Sequence, residues 1–399
     1  MRYPASLPEG GTIGFVAPSF GCAIEPYKTG FQSALKHFHE MGYQTKLGPN
    51  CYAGEGVGIS NTPELCGKEL NEMYADPETD ILISCGGGEL MCEVVPYIDW
   101  NLIRESRPKW YIGYSDNTNF TFLSTILADT AAIYGPCAPT FGMEPPADSV
   151  KDALSVLRGG LKAHNYPKWE KESLKDEEHP TVPYNMTEEY RQRVFVPGPV
   201  FNKEMEKPVT ESDSGKVTDK PVPESGFGKA KDEYMSDKLS DENITCRSIR
   251  QGIVRETNST SFEGRLIGGC VDILVTLLGT RFDKTQEFLE RYKEDGFIWF
   301  LESCDLTPLD MRRAFFQMKE AGWFRYVKGF LIGRPLHFDE DMMGVDRYEA
   351  VLAVIGELGV PILMDLDIGH LPPQMPLISG AYAKVEAADN RLTVEFQLK

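Results

Sequence analysis

Ser115 lies in a segment that has the pattern of an apolar strand, a sharp turn and then a helix. A serine in such a turn exposes its hydroxyl at the carboxyl edge of a sheet, where it can attack a carbonyl carbon. The N–H groups that follow, beginning with Asp116, are free at the helix N-terminus and can hold an oxyanion. Asn117 replaces the second glycine of the G-x-S-x-G motif, so the alternative that Ser115 or Asp116 only caps the helix stays open.

A glycine-rich loop follows another apolar strand, with Gly86, Gly87 and Gly88 in succession. Successive glycines let backbone N–H groups approach a ligand closely, so this loop could supply the second oxyanion donor that acyl transfer usually needs. A phosphate-binding loop fits less well, because both the P-loop lysine and the G-x-G-x-x-G spacing are missing. A plain tight turn is the remaining alternative.

A serine nucleophile needs a general base, and His370 is the best placed of the six histidines. It follows an apolar strand, with a glycine before it and prolines shortly after, and catalytic side chains are frequent in such loops. The base in turn needs a carboxylate that fixes its tautomer. Glu302 is the candidate, because it ends a very apolar strand, while Asp365 and Asp367 are rivals by their proximity to His370.

Two further alternatives concern Glu302 and the cysteines. A salt bridge from Glu302 to Arg312 or Arg313 would give the carboxylate a purely structural role. Cys85, at a strand end, is an alternative nucleophile, but no helix N-terminus lies directly behind it. The sequence has no H-E-x-x-H motif and no cluster of Cys and His ligands, so we expect no metal and no cofactor.

The elements that must position these residues predict two domains. Short apolar runs alternate with stretches of helical period, which is typical of βα units on a parallel sheet. The predicted fold class is α/β, with an open, doubly wound N-terminal domain over residues 1–164 and a smaller β-rich C-terminal domain over 256–399 that carries Glu302 and His370. Residues 165–255 are polar and are predicted to be a linker or insertion, either a flap over a substrate cleft or a surface insertion.

The composition favours a small-molecule ligand. The chain has 399 residues and a formal net charge of −19 at pH 7. Such a charge repels phosphate backbones and anionic lipid, so nucleic acid and membranes are poor partners. The lack of a long apolar run and of a signal-peptide pattern predicts a cytoplasmic location. Nine cysteines without a C-x-x-C pair favour reduced thiols over a disulfide framework.

Several segments together resemble the serine peptidase family that contains the bacterial LD-carboxypeptidases (muramoyltetrapeptide carboxypeptidases) and the microcin C self-immunity proteins. They lie in both predicted domains and are similar to that family in order and spacing. The segments are 12–19, the glycine loop followed by 95–100, then 112–116, 134–136, 264–269, 300–302 and 369–370.

The resemblance implies a catalytic triad of Ser115, Glu302 and His370, in that chain order. The implied reaction is hydrolysis of the L,D-amide bond before the terminal D-alanine of a muropeptide, in cell-wall recycling. His370 would accept the proton of Ser115 as it attacks, Glu302 would orient the imidazole, and water would hydrolyse the acyl-enzyme.

The resemblance also implies oxyanion donors at Gly87 or Gly88 and at Asp116, a homodimer, and no metal. Two alternatives remain: a microcin-immunity type hydrolase of aminoacyl or peptidyl-nucleotide amides, and a catalytically silent binding protein. Cys270 stands where the family commonly has asparagine, and the stretch after the histidine is closer to the immunity branch.

The two hydrolase interpretations differ in the pocket they require. An aromatic side chain from the insertion, such as Trp169 or Tyr184, stacking over the cleft would favour a nucleobase ligand. A basic residue placed to pair with a terminal carboxylate would favour muropeptides.

Overall fold

The computed structural model of the chain describes residues 1–199 and 247–399. The central part of the predicted insertion lies outside the described residues. Among the described residues, no helix combines the length and the apolar composition that crossing a bilayer requires.

The N-terminal half alternates strands with helices, as the βα pattern predicts. Its strands are β1 (Thr12–Val16), β2 (Gln44–Leu47), β3 (Ile81–Ser84), β4 (Trp110–Gly113) and β5 (Ala132–Tyr134). Its helices are α1 (Tyr27–Glu40), α2 (Pro63–Ala75), α3 (Trp100–Glu105), α4 (Thr118–Ala128) and α5 (Asp148–Leu157).

These five strands form a parallel sheet in the order β5-β4-β3-β1-β2. Every residue of β3 and β4 is buried, which explains why their apolar runs do not alternate. The strand order reverses between β1 and β3, and open sheets of this kind bind ligands in the crevice at such a point. The loops that follow β1 and β3 therefore start at the expected ligand crevice.

The second half of the chain adds strands with helices between them. The elements that follow α5 are β6 (Lys162–His164), β7 (Lys168–Trp169), β8 (Glu188–Glu189), β9 (Arg193–Pro197), α6 (Arg247–Arg250), β10 (Val254–Thr257), β11 (Ser259–Cys270), α7 (Val271–Leu277), α8 (Thr285–Arg291), β12 (Phe297–Glu302), α9 (Pro308–Glu320), β13 (Val327–Gly333), α10 (Arg347–Ile355), β14 (Ile362–Leu366), β15 (Leu377–Ser379), β16 (Tyr382–Ala388) and β17 (Arg391–Gln397).

A nine-stranded sheet of mixed direction organises this half, in the order β10-β9-β14-β13-β12-β11-β16-β17-β6. Strands β11 to β14 run parallel at its centre, and antiparallel strands lie on both sides. The β16–β17 hairpin turns at Asp389 and Asn390, which both have positive φ, as a two-residue hairpin turn requires. The predicted α/β class, with a doubly wound N-terminal domain and a smaller β-rich C-terminal domain, is confirmed.

The two sheets exchange strands. β15, from near the chain end, pairs with β5 at the edge of the N-terminal sheet, and β6 pairs with β17 at the edge of the C-terminal sheet. One buried cluster contains side chains from both sheets, among them Ile112 and Phe300. Because β9 also pairs with β14, described parts of the predicted insertion belong to the C-terminal sheet. The domain boundaries themselves stay a prediction.

Candidate active site

Ser115 occupies the turn between β4 and α4. It begins a short 3-10 turn, is half-buried, and has φ of 61°, in the left-handed region that non-glycine residues seldom adopt. A strained strand-to-helix turn of this kind holds a serine hydroxyl clear of the sheet. The local geometry is the one that the sequence pattern predicts.

The structure brings Ser115, His370 and Glu302 together in one hydrogen-bonded chain. His370 Nε2 lies 2.8 Å from Ser115 Oγ, and His370 Nδ1 lies 2.8 Å from Glu302 Oε2. The serine follows β4, the glutamate ends β12, and the histidine lies in the loop after β14. Three strand ends from two sheets thus meet at one point.

Gly369 allows the imidazole and the carboxylate to approach. Its φ is 108°, and a Cβ atom at this position would collide with the carboxylate of Glu302. A side chain at residue 369 would therefore displace either the carboxylate or the loop that carries His370.

Glu302 and His370 influence each other's charge. Burial alone would raise the pKa of Glu302, which is 1% exposed, but His370 and other hydrogen-bond donors hold that pKa below its ordinary value. Burial likewise lowers the pKa of His370, but Glu302 and Cys304 together outweigh burial and hold the pKa well above 6.5. The pair is therefore suited to stabilise an imidazolium.

The glycine loop lies directly against the serine. A Cβ at Gly87 would be 3.0 Å from Ser115 Cβ and 3.3 Å from its Oγ, whereas a Cβ at Gly88 would collide with Ser19. Within the described part of the chain, the N–H groups of Gly87, Gly88 and Asp116 donate to no acceptor. Free N–H groups beside a nucleophile can bind a developing oxyanion.

The carboxylate of Asp116 does not cap α4; it holds the neighbouring loops. It accepts hydrogen bonds from the Ser19 hydroxyl at 2.6 Å, from the Met91 N–H at 2.9 Å and from the Asn119 side chain at 2.9 Å. Burial raises the pKa of Asp116 to about 6, although these donors oppose the rise. Its side chain thus ties the loop after β1 and the end of the glycine loop to the serine turn.

The rival carboxylates are engaged elsewhere. Asp365 lies 2.9 Å from Nε of Arg347, and Asp367 accepts from the Tyr166 N–H at 2.9 Å and faces Arg334. Arg313, one of the two suggested structural partners of Glu302, pairs with an aspartate in the first turn of α9. The structure therefore selects Glu302 as the carboxylate that contacts His370.

The cysteine alternative receives no support from the geometry. Cys85 is 1% exposed, and burial raises its pKa well above the ordinary value, with the thiols of Cys22 and Cys51 beside it. A buried, protonated thiol is a poor nucleophile. The described residues include no group of three or more His, Cys, Asp or Glu side chains that could hold a metal ion.

Sequence reasoning assigned no role at this site to Cys304, Cys270 or Tyr134, although it noted that Cys270 stands where the family commonly has asparagine. Cys304 lies beside His370 and helps to raise its pKa, and the thiol of Cys270, which donates to Asp272 at 3.4 Å, helps to lower the pKa of Glu302. The hydroxyl of Tyr134 accepts the Ser115 N–H at 3.1 Å and donates to Glu302. The Tyr-Gly-Pro segment was part of the family resemblance, so a signal for Tyr134 existed, but nothing in the sequence indicated its partners.

The described part of the insertion covers the loop that carries His370. Glu170 N–H donates to the carbonyl of Pro372 at 2.7 Å. The ring of Trp169 is 8% exposed and lies 4.2 Å from the guanidinium carbon of Arg334, with Phe338 packed against it edge-on. Tyr184 is half-buried. The ring of Trp169 is therefore already engaged, and Tyr184 is the freer of the two predicted aromatic candidates.

Comparison with known proteins agrees with this architecture. Residues 13–135 match the LD-carboxypeptidase N-terminal domain and residues 263–385 match the LD-carboxypeptidase C-terminal domain. The microcin C7 self-immunity protein MccF of Escherichia coli is 23% identical over 402 residues, which cover 98% of this chain and 95% of that protein. The probable murein peptide carboxypeptidase of Bacillus subtilis (strain 168) is 23% identical, covering 98% of this chain and 94% of that protein. The solved structure of MccF with aspartyl sulfamoyl adenosine has a TM-score of 0.70 at 20% identity, covering 99% of this chain and 98% of that one.

These matches and the fold define a serine peptidase-like hydrolase with an N-terminal and a C-terminal domain. Since the two matched ranges together span more than half of the chain, the protein belongs to the LD-carboxypeptidase family, peptidase family S66.

Proposed function

We propose that the protein is a serine-type LD-carboxypeptidase that hydrolyses the L,D-amide bond before the terminal D-alanine of muropeptides. The observation that carries the proposal is the hydrogen-bonded chain from Ser115 through His370 to Glu302. We further propose that it acts as a homodimer in the cytoplasm, on small peptides produced by cell-wall recycling.

The proposed reaction uses the triad twice. His370 Nε2 takes the proton of Ser115 as Oγ attacks the amide carbonyl, and Glu302 stabilises the imidazolium. The N–H groups of Gly87 and Asp116 bind the oxyanion. His370 then gives the proton to the leaving amino group of D-alanine, and water, activated by the same histidine, hydrolyses the ester.

The free carboxylate of the substrate requires a cationic partner, and Arg334 is the candidate. Its side chain is 4% exposed. The preceding residue, Gly333, lies against the triad, since a Cβ at that position would be 2.8 Å from Glu302 Cβ. One terminal nitrogen, Nη2, donates to the carbonyl of Asp365 at 3.0 Å and pairs with Asp367 Oδ1 at 3.4 Å, while Nη1 has no partner in the described part of the chain. A buried guanidinium with a spare donor favours recognition of a carboxylate.

A second candidate function is hydrolysis of aminoacyl-nucleotide amides, as in the immunity branch. The observation that favours it is the match over almost the whole chain to MccF with a nucleoside-linked ligand. The half-buried Tyr184 would be the platform for the base.

The test is to incubate the purified protein with UDP-MurNAc-tetrapeptide and to look for D-alanine by mass spectrometry. Ser115→Ala and a substrate with an amidated C-terminus are the controls. We expect the wild type alone to release D-alanine from the free acid, and we expect no release of D-alaninamide from the amidated substrate. Release by Ser115→Ala would contradict Ser115 as nucleophile.

A parallel incubation with aspartyl sulfamoyl adenosine separates the alternatives. Cleavage of this compound without D-alanine release would assign the immunity-type activity. Binding of either compound without turnover, equal in wild type and Ser115→Ala, would favour a silent binding protein.

A further inference from the structure

The hydroxyl of Tyr134 links the two ends of the candidate site. It accepts the N–H of Ser115 at 3.1 Å and donates to Oε1 of Glu302, while His370 occupies the other carboxylate oxygen. One hydroxyl therefore contacts both the backbone of the serine and the carboxylate of the glutamate.

The direction of these two hydrogen bonds is fixed by chemistry. A backbone N–H can only donate, and an ionised carboxylate can only accept. The single hydroxyl proton of Tyr134 must therefore point to Glu302, and its lone pair must face Ser115. Burial raises the pKa of Tyr134 well above its ordinary value, so the phenol keeps that proton.

Tyr134 also lies where the two sheets meet. It ends β5 in the N-terminal sheet, is 2% exposed, and packs its ring against Phe300 of β12 at 5.5 Å between ring centroids. Ser115 has left the strand at φ 61°, so its N–H needs an acceptor from another element. Tyr134 meets this need with the same atom that contacts Glu302.

We propose that Tyr134 is a positioning residue that sets the placement of Ser115 relative to Glu302 and shares the charge of Glu302 with His370. The inference rests on the proposed function for its effect on turnover, but its effect on His370 can be measured without substrate.

Removing this hydroxyl should shift the pKa of His370 in a definite direction. Without the Tyr134 donor, the carboxylate of Glu302 is more basic and binds the imidazolium more strongly, so the pKa of His370 rises. The other titratable groups near the pair are Tyr114, whose ring centroid lies 5.2 Å from that of His370, Cys270 near Glu302, Cys304 near His370, and Asp272, which accepts from the Cys270 thiol. All of them are retained in Tyr134→Phe.

The experiment compares wild type, Tyr134→Phe and Tyr74→Phe. Tyr74 is a matched control, because its hydroxyl is also buried and accepts a backbone N–H, from Lys109, which precedes β4 whereas the serine follows it. Two quantities are measured against pH: the rate at which a fluorophosphonate labels Ser115, by intact mass spectrometry, and the titration of His370, by ¹⁵N NMR.

We expect Tyr134→Phe to label about tenfold to a hundredfold more slowly than wild type, as the loss of a hydrogen bond to a charged group implies. Its His370 midpoint should lie higher than that of wild type by about half a pH unit or more. Tyr74→Phe should match wild type in both. A labelling rate and a midpoint in Tyr134→Phe that both equal those of wild type would overturn the inference.

Failure of the proposed function is distinguishable from failure of this inference. If the reagent does not label Ser115 in wild type, the nucleophile assignment fails, and the His370 titration alone decides on Tyr134. If Tyr134→Phe loses its native circular-dichroism spectrum, a protein with 3-fluorotyrosine at position 134 is used in place of that variant. The fluorinated phenol is a stronger hydrogen-bond donor than tyrosine. It should lower the His370 midpoint, and an unchanged midpoint would then refute the inference.

Discussion

At the scale of single residues, the charge of Glu302 decides how His370 behaves. The carboxylate is buried, yet contact with the imidazole and with other donors holds its pKa low, and in return it raises the pKa of His370. A general base acts only in its neutral form, so the proposed activity should rise with pH through the pKa of His370, with a midpoint above 6.5.

Glu302→Gln tests this coupling, because it keeps the shape of the side chain and removes its charge. We expect kcat to fall by about a thousandfold or more, since the imidazolium loses its partner. The pH midpoint of kcat/KM should move to lower values, because the charge that raised the pKa of His370 is gone. Asp310→Asn, which removes a partly exposed carboxylate from the first turn of α9, is the charge-matched control and should leave the profile unchanged. An unshifted midpoint in Glu302→Gln would count against the coupling.

At the scale of elements, Asp116 connects the serine turn to two loops that contribute to the site. Its carboxylate accepts from Ser19 in the loop after β1 and from the N–H of Met91 at the end of the glycine loop. The proposed oxyanion donors, Gly87 and Asp116 itself, therefore lie on segments that this one side chain holds together.

Asp116→Ala should impair catalysis more than binding. With the two loops released, the N–H groups no longer converge on one point, and we expect kcat to fall by about a hundredfold with a small change in KM. Steady-state kinetics provide the measurement, and Ser19→Ala, which removes one of the hydrogen bonds, should give a smaller loss. A variant with unchanged kcat and a raised KM would place Asp116 in substrate binding instead.

At the scale of the whole molecule, strand exchange joins the two sheets. β15 completes the edge of the N-terminal sheet and β6 completes the edge of the C-terminal sheet, so neither sheet is built from one continuous part of the chain. Separating the sheets would expose the buried cluster that they share.

We therefore expect one cooperative unfolding transition rather than two. Thermal melts followed by far-ultraviolet circular dichroism and by tryptophan fluorescence should coincide, because Trp110 lies in the first sheet and Trp299 in the second. Two resolved transitions would show that the halves unfold independently.

The local pattern of the sequence was sufficient to predict strands such as β3 and β4 and the turn that carries Ser115. Non-alternating apolar runs predicted β3 and β4, and the strand-turn-helix pattern placed Ser115 where the structure has it. Such features depend on residues close together in the chain, where backbone sterics and burial act directly.

The spacing of residues left Glu302, Asp365 and Asp367 open, and the family resemblance favoured Glu302. Only the tertiary structure shows that Glu302 contacts His370, and only it placed Tyr134 between Ser115 and Glu302. The exchange of β15 and β6 between the sheets was likewise not visible in the sequence. The reason is distance along the chain: 255 positions separate His370 from Ser115, and 168 separate Tyr134 from Glu302. Contacts of that range are fixed by how the two sheets pack and which strands pair, and the spacing of residues in the sequence carries no record of either.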